Sequence, residues 1–469
     1  MAQRMKLAAL TLVVAGALSA TVAKAETLAD AMIGAYNTSG LLEQNRAVLR
    51  AADEDVAQAV AALRPVIVWS ADATRQFGTT RSGSTSNIIT DTVSNTISAS
   101  LTAQLTVYDA GQNRLAVGTA KEAVLGTRQQ LVVVEQQVLL SAVEAFLEVR
   151  RALEIVALRQ NNVRLITQEL RAAQDRFEVG EVTRTDTSLA EARLAAARSE
   201  LAAAEGSLVI AQEQYLAVVG RKPGRLQPPS ALPSLPGSVE SAKAIAVREH
   251  PSVLSVQHQV AAAELNILRA EAAMKPTISL NGRLTVTEST SSNSFTRGGS
   301  VGVEAQGPIY QGGRLSSLVR QAMANRDSSR GQLHQTIDQV SQNVGNAYAQ
   351  LRIARASLDA TQRQVRASTV AFRGVREEAA LGARTTLDVL NAEQELLNAR
   401  SAQISAQVDE FIAAYRVIST LGRLTATDLR LPVQQYDPVN YYNLVKDSPA
   451  KKSKQGQQLD RVLKSLGKN

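Results

Sequence analysis

The chain has 469 residues, 45% of them hydrophobic but only 3% aromatic, and it contains no cysteine. This excludes a disulfide-stapled scaffold and argues against a core built on large rings; an elongated, alanine-rich architecture fits better. The formal charge of +8 does not mark a nucleic-acid binder, because it is localised. Arg4, Lys6 and Lys24 lie at the start, and six cations face one acid in 450–469, so Glu26 to Pro449 is neutral.

The opening "MAQRMKLAALTLVVAGALSATVAKA" has two early cations, an apolar run from Leu7 to about Leu18, and the small-residue site Ala23-Lys24-Ala25. It reads as a secretory signal peptide over 1–25, with the mature chain starting near Glu26. No later apolar run reaches the roughly 18 residues of a spanning helix. Any membrane crossing is therefore expected from strands.

A helical segment from about Thr27 to Arg64 leads through Pro65 into "VIVWSADATRQF", an irregular strand. Its partner strand is clearer. Ile97, Ala99, Leu101, Ala103, Leu105 and Val107 alternate with Ser, Thr and Gln, the period of two that gives a strand one apolar face. "GTTRSGSTSN" between them reads as a hairpin loop by composition. After "TVYDAGQNR", with Tyr108 and Gly111, the stretch from Thr127 to Val179 lacks glycine and proline and predicts a helix of roughly 80 Å. A turn at Gly180 precedes a return helix with a heptad seam, Ala190, Leu194, Ala197, Leu201, Ala204, Leu208, Ala211, Tyr215 and Val218.

A proline-rich joint, 226–238, then divides the chain, and the same order begins again. A shift of 202 residues carries Tyr108 and Gly111 onto Tyr310 and Gly313. It also carries Gly180, Thr183, Asp186 and Glu191 onto Gly382, Thr385, Asp388 and Glu393. The chain is thus read as a first repeat, 26–225, and a second, 239–430, followed by 431–469. In the second repeat Ile278, Leu280, Leu284 and Val286 alternate with polar residues, "STSSNSFTRGGS" reads as a loop, and Val301, Val303 and Ala305 continue beyond it. The second return helix carries the seam Leu387, Leu390, Gln394, Leu397, Ser401, Ile404, Val408, Phe411, Tyr415 and Ile418. The basic terminal run is expected to be a solvated, disordered tail.

Four strands with one apolar face cannot close a barrel, and an open edge in lipid leaves backbone groups unpaired. Since membrane barrels need about eight strands or more, at least two copies must share one. A soluble sandwich is the poorer reading, because long helices separate the two hairpins.

The duplicated order of helix, hairpin, "YDAG" or "YQGG" bend and long helical hairpin, with tips "VGEVTRTDTSLAEAR" and "LGARTTLDVLNAEQ", resembles the TolC-type outer-membrane channels of efflux and type I secretion systems. The resemblance covers Thr27 to about Leu424. It implies an α+β membrane protein that forms a homotrimer, with four strands per protomer in a shared trimeric 12-stranded β-barrel, continued by an α-helical coiled-coil tunnel in the periplasm. It implies a passive duct in the outer membrane lipid, served by a periplasmic adaptor (membrane fusion) protein and an inner-membrane pump of the ABC or RND type.

The tips have two readings. Thr183 with Asp186, and Thr385 with Asp388, match capping boxes, and Arg384 could pair with Asp388 on the same turn. The resemblance adds a gate, in which an arginine of the second tip latches to a threonine and an aspartate of the first. Those positions match Arg384, Thr185 and Asp186. It also implies a ring of aspartates at the constriction, where this chain has Asp388 but Asn391 in place of the second. Gly180 and Gly382 are the expected tip turns; Tyr108, Gly111, Tyr310 and Gly313 are the expected strand–helix bends.

No enzyme site is legible. His250, His258 and His334 lack metal-ligand spacing, and there is no phosphate loop or nucleophile elbow, so no cofactor, metal or nucleic acid is expected. A periplasmic coiled-coil adaptor is the alternative. "LPVQQYDPVNYYNLVKD" resembles the ends of channels classed with type I secretion, a weak hint about cargo.

Overall fold

The computed structural model describes residues 25–81, 89–229, 231–292 and 294–465. The signal-peptide reading falls outside these residues except for Ala25, and so does most of the expected loop "GTTRSGSTSN".

Two helices, two strands and two helices occur in order, twice. The first set is α1 (Leu28–Thr38), α2 (Gly40–Ala61), β1 (Val66–Arg81), β2 (Ile89–Tyr108), α3 (Gln112–Glu178) and α4 (Arg184–Val219). The second is α5 (Val239–Glu249), α6 (Pro251–Ala272), β3 (Thr277–Ser289), β4 (Ser294–Gln306), α7 (Arg314–Ala380) and α8 (Thr386–Thr420), after which come α9 (Pro438–Val445) and α10 (Lys454–Ser465). Each leading helical segment is broken where one helix was expected. Ser39 leaves the helical region at ψ 111° and caps α1. His250 ends α5 because Pro251, which has no amide hydrogen, must start a new helix.

Among the described residues the strands form one antiparallel sheet in the order β1-β2-β3-β4. Its register sorts the side chains by chemistry. Trp69 pairs with Leu101 and Leu101 with Leu284, while Ile67 pairs with Ala103 and Ala71 with Ala99. The alternate rows hold Ser70, Ser100 and Thr285, then Asp72, Ser98 and Thr287. The apolar face is the more exposed one: Trp69 is 77% exposed, Leu284 61% and Val301 83%. That inverts a water-soluble sheet and suits lipid. From Ile97 to Val107 the apolar set covers about 33 Å of strand, which a tilt near 40° reduces to about the 25 Å height of a membrane barrel's apolar band.

Both expected hairpin loops are shorter than composition indicated. Gly78–Arg81 pair with Ile89–Thr92, and "SFTRGGS" is the start of β4, paired back to Ser294 opposite Ser289. Backbone pairing satisfies the amides whatever the side chains, and Gly299 has a specific role. A Cβ there would lie 2.7 Å from Cδ2 of Leu284, its cross-strand partner. The basic tail differs as well. It forms α10, whose Leu459 and Leu463 pack on Ala57, Tyr441 and Val445. Apolar residues spaced by four let a basic run fold once a matching surface exists.

The chain divides into two compact units. One comprises residues up to 45, 132–251 and 338–435, and is built on Leu139, Phe146, Leu147 and Tyr215, all at most 1% exposed. The other comprises 46–131, 252–337 and 436–469; it holds the sheet and a core of Leu49, Val56 and Val124. In α4 the expected seam is the inward face, since Ala190, Leu194, Ala197, Ala211 and Tyr215 are buried between exposed neighbours. Helix α8 buries more than its seam. Val389, Leu396, Ala399 and Ala406 are also enclosed, so it packs on two sides.

Candidate functional site

Both tips use the same backbone device. At the end of α3, Glu181 N–H donates to Arg176 O (2.9 Å) and Gly180 N–H to Phe177 O (3.0 Å). At the end of α7, Ala383 N–H donates to Glu378 O (2.9 Å) and Gly382 N–H to Ala379 O (3.1 Å). This double closure needs a left-handed residue, and Gly180 (φ 81°) and Gly382 (φ 78°) supply it. Both expected capping boxes follow. Thr183 N–H and hydroxyl donate to Asp186 Oδ2 at 3.0 and 2.7 Å; Thr385 does the same to Asp388 Oδ2 at 3.1 and 2.8 Å. The threonine hydroxyls thereby hold both carboxyls below the usual aspartate range. Both tips therefore favour the ionised form of an aspartate at a helix N-terminus.

Arg384 is engaged within its own tip. Its Nε donates to Glu378 Oε2 at 2.8 Å, both side chains are half exposed, and Glu378 holds the guanidinium charge above its ordinary pKa. Within the single chain neither Thr185 nor Asp186 is bonded to Arg384 among the described residues, and Thr185 is exposed. Asn391 Oδ1 accepts from Arg193 Nη2 of α4 at 3.0 Å, so the position that lacks the second aspartate ties the two return helices together.

About two turns along α8 from its Thr385 cap lies a buried polar group. Glu393, 6% exposed, accepts from Asn162 Nδ2 of α3 at 2.7 Å, and its second oxygen has no partner among the described residues. Burial pushes its carboxyl up to about 7; the Asn162 bond pulls the other way, Glu169 adds to the rise, and Arg193 and Arg376 oppose it. A cleft of about 250 Å³ beside it is lined by Asn162, Phe372, Arg373 and Leu396. Its duplicate, Glu191, is exposed. Neither Glu393 nor its partner was singled out from sequence, although an acid set between Leu390 and Leu397 of an apolar seam was the available signal. Glu378 and Arg193 gave none, because the contacts depend on how the tip turns fold and how the return helices pack.

The bends are built differently in the two copies. Tyr108 closes β2 after a register shift, Ala110 and Gly111 are left-handed (φ 54° and 88°), and Asp109 caps α3 through bonds from Gly111 N–H (2.9 Å) and Asn113 N–H (2.8 Å). In the second copy Gly312 and Gly313 are left-handed (φ 59° and 82°), and Tyr310 is 87% exposed. Among the described residues no helix is long and apolar enough to cross a membrane, and no cluster of His, Cys, Asp and Glu could hold a metal.

Comparison with known proteins gives a consistent result. The profile of the family described as outer membrane efflux protein matches residues 35–221 and 244–423. The chain is 36% identical to the outer membrane efflux protein BepC of Brucella suis, over 92% of each chain. It is 26% identical to the alkaline protease secretion protein AprF of Pseudomonas aeruginosa, over 63% of each. Its fold matches the crystal structure of the Campylobacter jejuni CmeC outer membrane channel with a TM-score of 0.75 at 16% identity, covering 90% of each chain. These matches bear out the TolC-type resemblance drawn from the duplicated tips and bends.

Proposed function

The chain belongs to the outer membrane efflux protein family, and from that premise we propose that three copies assemble into a passive exit duct, with the tips of α3–α4 and α7–α8 closing its periplasmic entrance. It is an outer-membrane channel, and the periplasmic-adaptor alternative is not favoured. The observation that carries the shared barrel is the sheet, with four strands, an exposed apolar face, and edges at β1 and β4 that lipid cannot satisfy; the number three is what the family implies. Three copies give a closed twelve-stranded barrel with the Ser, Thr and Gln rows inside. The duct does no chemistry of its own; a periplasmic adaptor and an inner-membrane pump of the ABC or RND type supply cargo and energy. Planar-bilayer recording of the purified full-length protein tests this, together with its subunit stoichiometry. Discrete single-channel steps from a trimer support it, and a monomer without conductance overturns it.

For the gate, Arg384 exchanges Glu378 for the hydroxyl of Thr185 and the carboxylate of Asp186. Among the described residues nothing is bonded to Asp186 Oδ1, so its cap survives the exchange. A planar guanidinium can hold both oxygens at once. Arg384→Ser is expected to raise single-channel conductance several-fold with the trimer intact; unchanged conductance counts against the latch.

Asp388 supplies one carboxylate per protomer at the constriction, and with Asn391 bonded to Arg193 the ring holds three in all. Because Thr385 holds the Asp388 carboxyl below the usual aspartate range, block by divalent cations should be the same at pH 7 and pH 5. Asp388→Asn, whose amide oxygen can still accept from Thr385, should weaken that block about tenfold, each lost charge counting modestly in water. Equal block in both proteins would remove the ring.

A further inference from the structure

Arg64 lies two residues before β1, and its guanidinium is spent on the C-terminal segment. Nη1 donates to Ser448 O at 2.7 Å, and Nη2 donates to Asp447 O. Tyr441 hydroxyl donates to Glu54 Oε1 at 2.7 Å, and Val445 is fully buried against Ala57. The turn between α9 and α10 is thus fastened to the foot of the first strand, within one side chain's reach of Val66. The turn is basic: Lys446, Lys451, Lys452 and Lys454 against a single acid, Asp447. Lys451, Lys452 and Lys454 are exposed, and none has a carboxylate within ion-pair distance among the described residues.

The level of this turn in the membrane follows from the sheet. The apolar face begins at Ile67, and Trp69, on that face opposite Leu101, stands at the height where an aromatic ring anchors a barrel to the interface. Strand ends that continue into helices face the periplasm, so the lysines meet the phospholipid leaflet at its headgroups. Arg64 and Tyr441 fix the backbone beforehand, so ordering costs little when a ligand arrives.

We propose that the lysine turn 446–454, clamped by Arg64 to the foot of β1, is a docking surface for the anionic phospholipid headgroups of the periplasmic leaflet. It collects phosphatidylglycerol-type lipids around the base of the barrel and holds the C-terminal segment against it. The proposal rests on β1–β4 being membrane strands, which the conductance recording checks separately: a conducting trimer without lipid preference refutes only the lysine turn.

Trp69 is the single tryptophan of the chain and serves as the reporter. Full-length protein is reconstituted in phosphatidylcholine vesicles that contain equal fractions of brominated phosphatidylglycerol or brominated phosphatidylcholine. Brominated phosphatidylglycerol should quench Trp69 with an apparent preference of about fivefold, the contribution of one fully engaged lysine near an anionic surface. The preference should fall to parity in the Lys451→Gln/Lys452→Gln/Lys454→Gln variant and in high salt. Lys222→Gln, in the other unit, should leave it unchanged. Equal quenching by the two lipids in the wild type, or an undiminished preference in the triple variant, overturns the proposal. So does loss of the preference to inorganic phosphate at constant ionic strength, which would mark a site for the free anion rather than a lipid surface.

Discussion

Glu393→Gln raises the thermal unfolding midpoint at pH 8 by a few degrees and leaves it nearly unchanged at pH 4. Glu393 is buried, one of its oxygens has no partner among the described residues, and its carboxyl titrates near 7 instead of 4.5. A carboxyl whose pKa is raised by folding weakens the fold when it ionises. Below pH 4.5 both folded and unfolded chains hold the proton, so nothing is lost. Between 4.5 and 7 the unfolded chain releases it first and stability falls; above 7 the deficit is constant at about 3 kcal/mol. Glutamine still accepts from Asn162 but never ionises, so it removes most of that deficit. Scanning calorimetry of the two proteins at the two pH values decides the matter. An equal shift at both, or a loss at pH 8, would show that the Glu393 carboxylate is better compensated than its surroundings indicate.

Glu26→Ala should cost about 2 kcal/mol at pH 7, with the opposite pH dependence. Glu26, 8% exposed, accepts from Tyr215 hydroxyl (2.6 Å), Arg221 Nη2 (2.6 Å) and Gly224 N–H (2.9 Å). Its own backbone is paired on both sides, N–H to Arg225 O (2.9 Å) and O from Gln227 N–H (2.8 Å). Alanine keeps the backbone pairs but leaves the Tyr215 hydroxyl, whose residue is completely buried, without its acceptor; Gly224 is exposed, so water replaces the bond its amide loses. The one buried orphan costs about 1–3 kcal/mol, and Arg221 adds little because it is half exposed. Burial alone would push the Glu26 carboxyl up, but the bonds from Tyr215, Gly224 and Arg221 outweigh it and hold it below 4.5. Its contribution is therefore present above that value and lost as the pH falls through the folded pKa. Tyr215→Phe should cost less in the Glu26→Ala protein than in the wild type, a coupling read by denaturant unfolding. Fully additive losses would mean that the two side chains do not share their bond.

The two glutamates show how unevenly the site was legible. Thr183 with Asp186 and Thr385 with Asp388 have the spacing of a capping box, and both boxes form as expected. Gly180, Gly382, Gly111 and Gly313 stand where the chain must turn left-handed, and they do. Glu191 and Glu393 are equivalent under the duplication, yet one is solvated and the other enclosed by α3 and α7. An apolar seam flanks Glu393 through Leu390 and Leu397, but one also flanks Glu191 through Ala190 and Leu194, so the local sequence does not say which of the two is enclosed. Arg384 shows the same limit: neighbours on the helix suggested Asp388, and the turn instead delivers Glu378.

By itself, the sequence determined the duplication, the alternating strands, the seam of the return helices and the form of both tips. These are signals of short range, carried by residue spacing that dihedral preferences and side-chain periodicity translate directly into backbone. Tertiary structure alone decided that β4 runs through "SFTRGGS", that the basic tail becomes α10 against Ala57 and Val445, that Arg64 clamps the lysine turn to β1, and that Glu26 and Glu393 are buried. Each of these depends on partners far along the chain, and burial energy exists only once such partners meet.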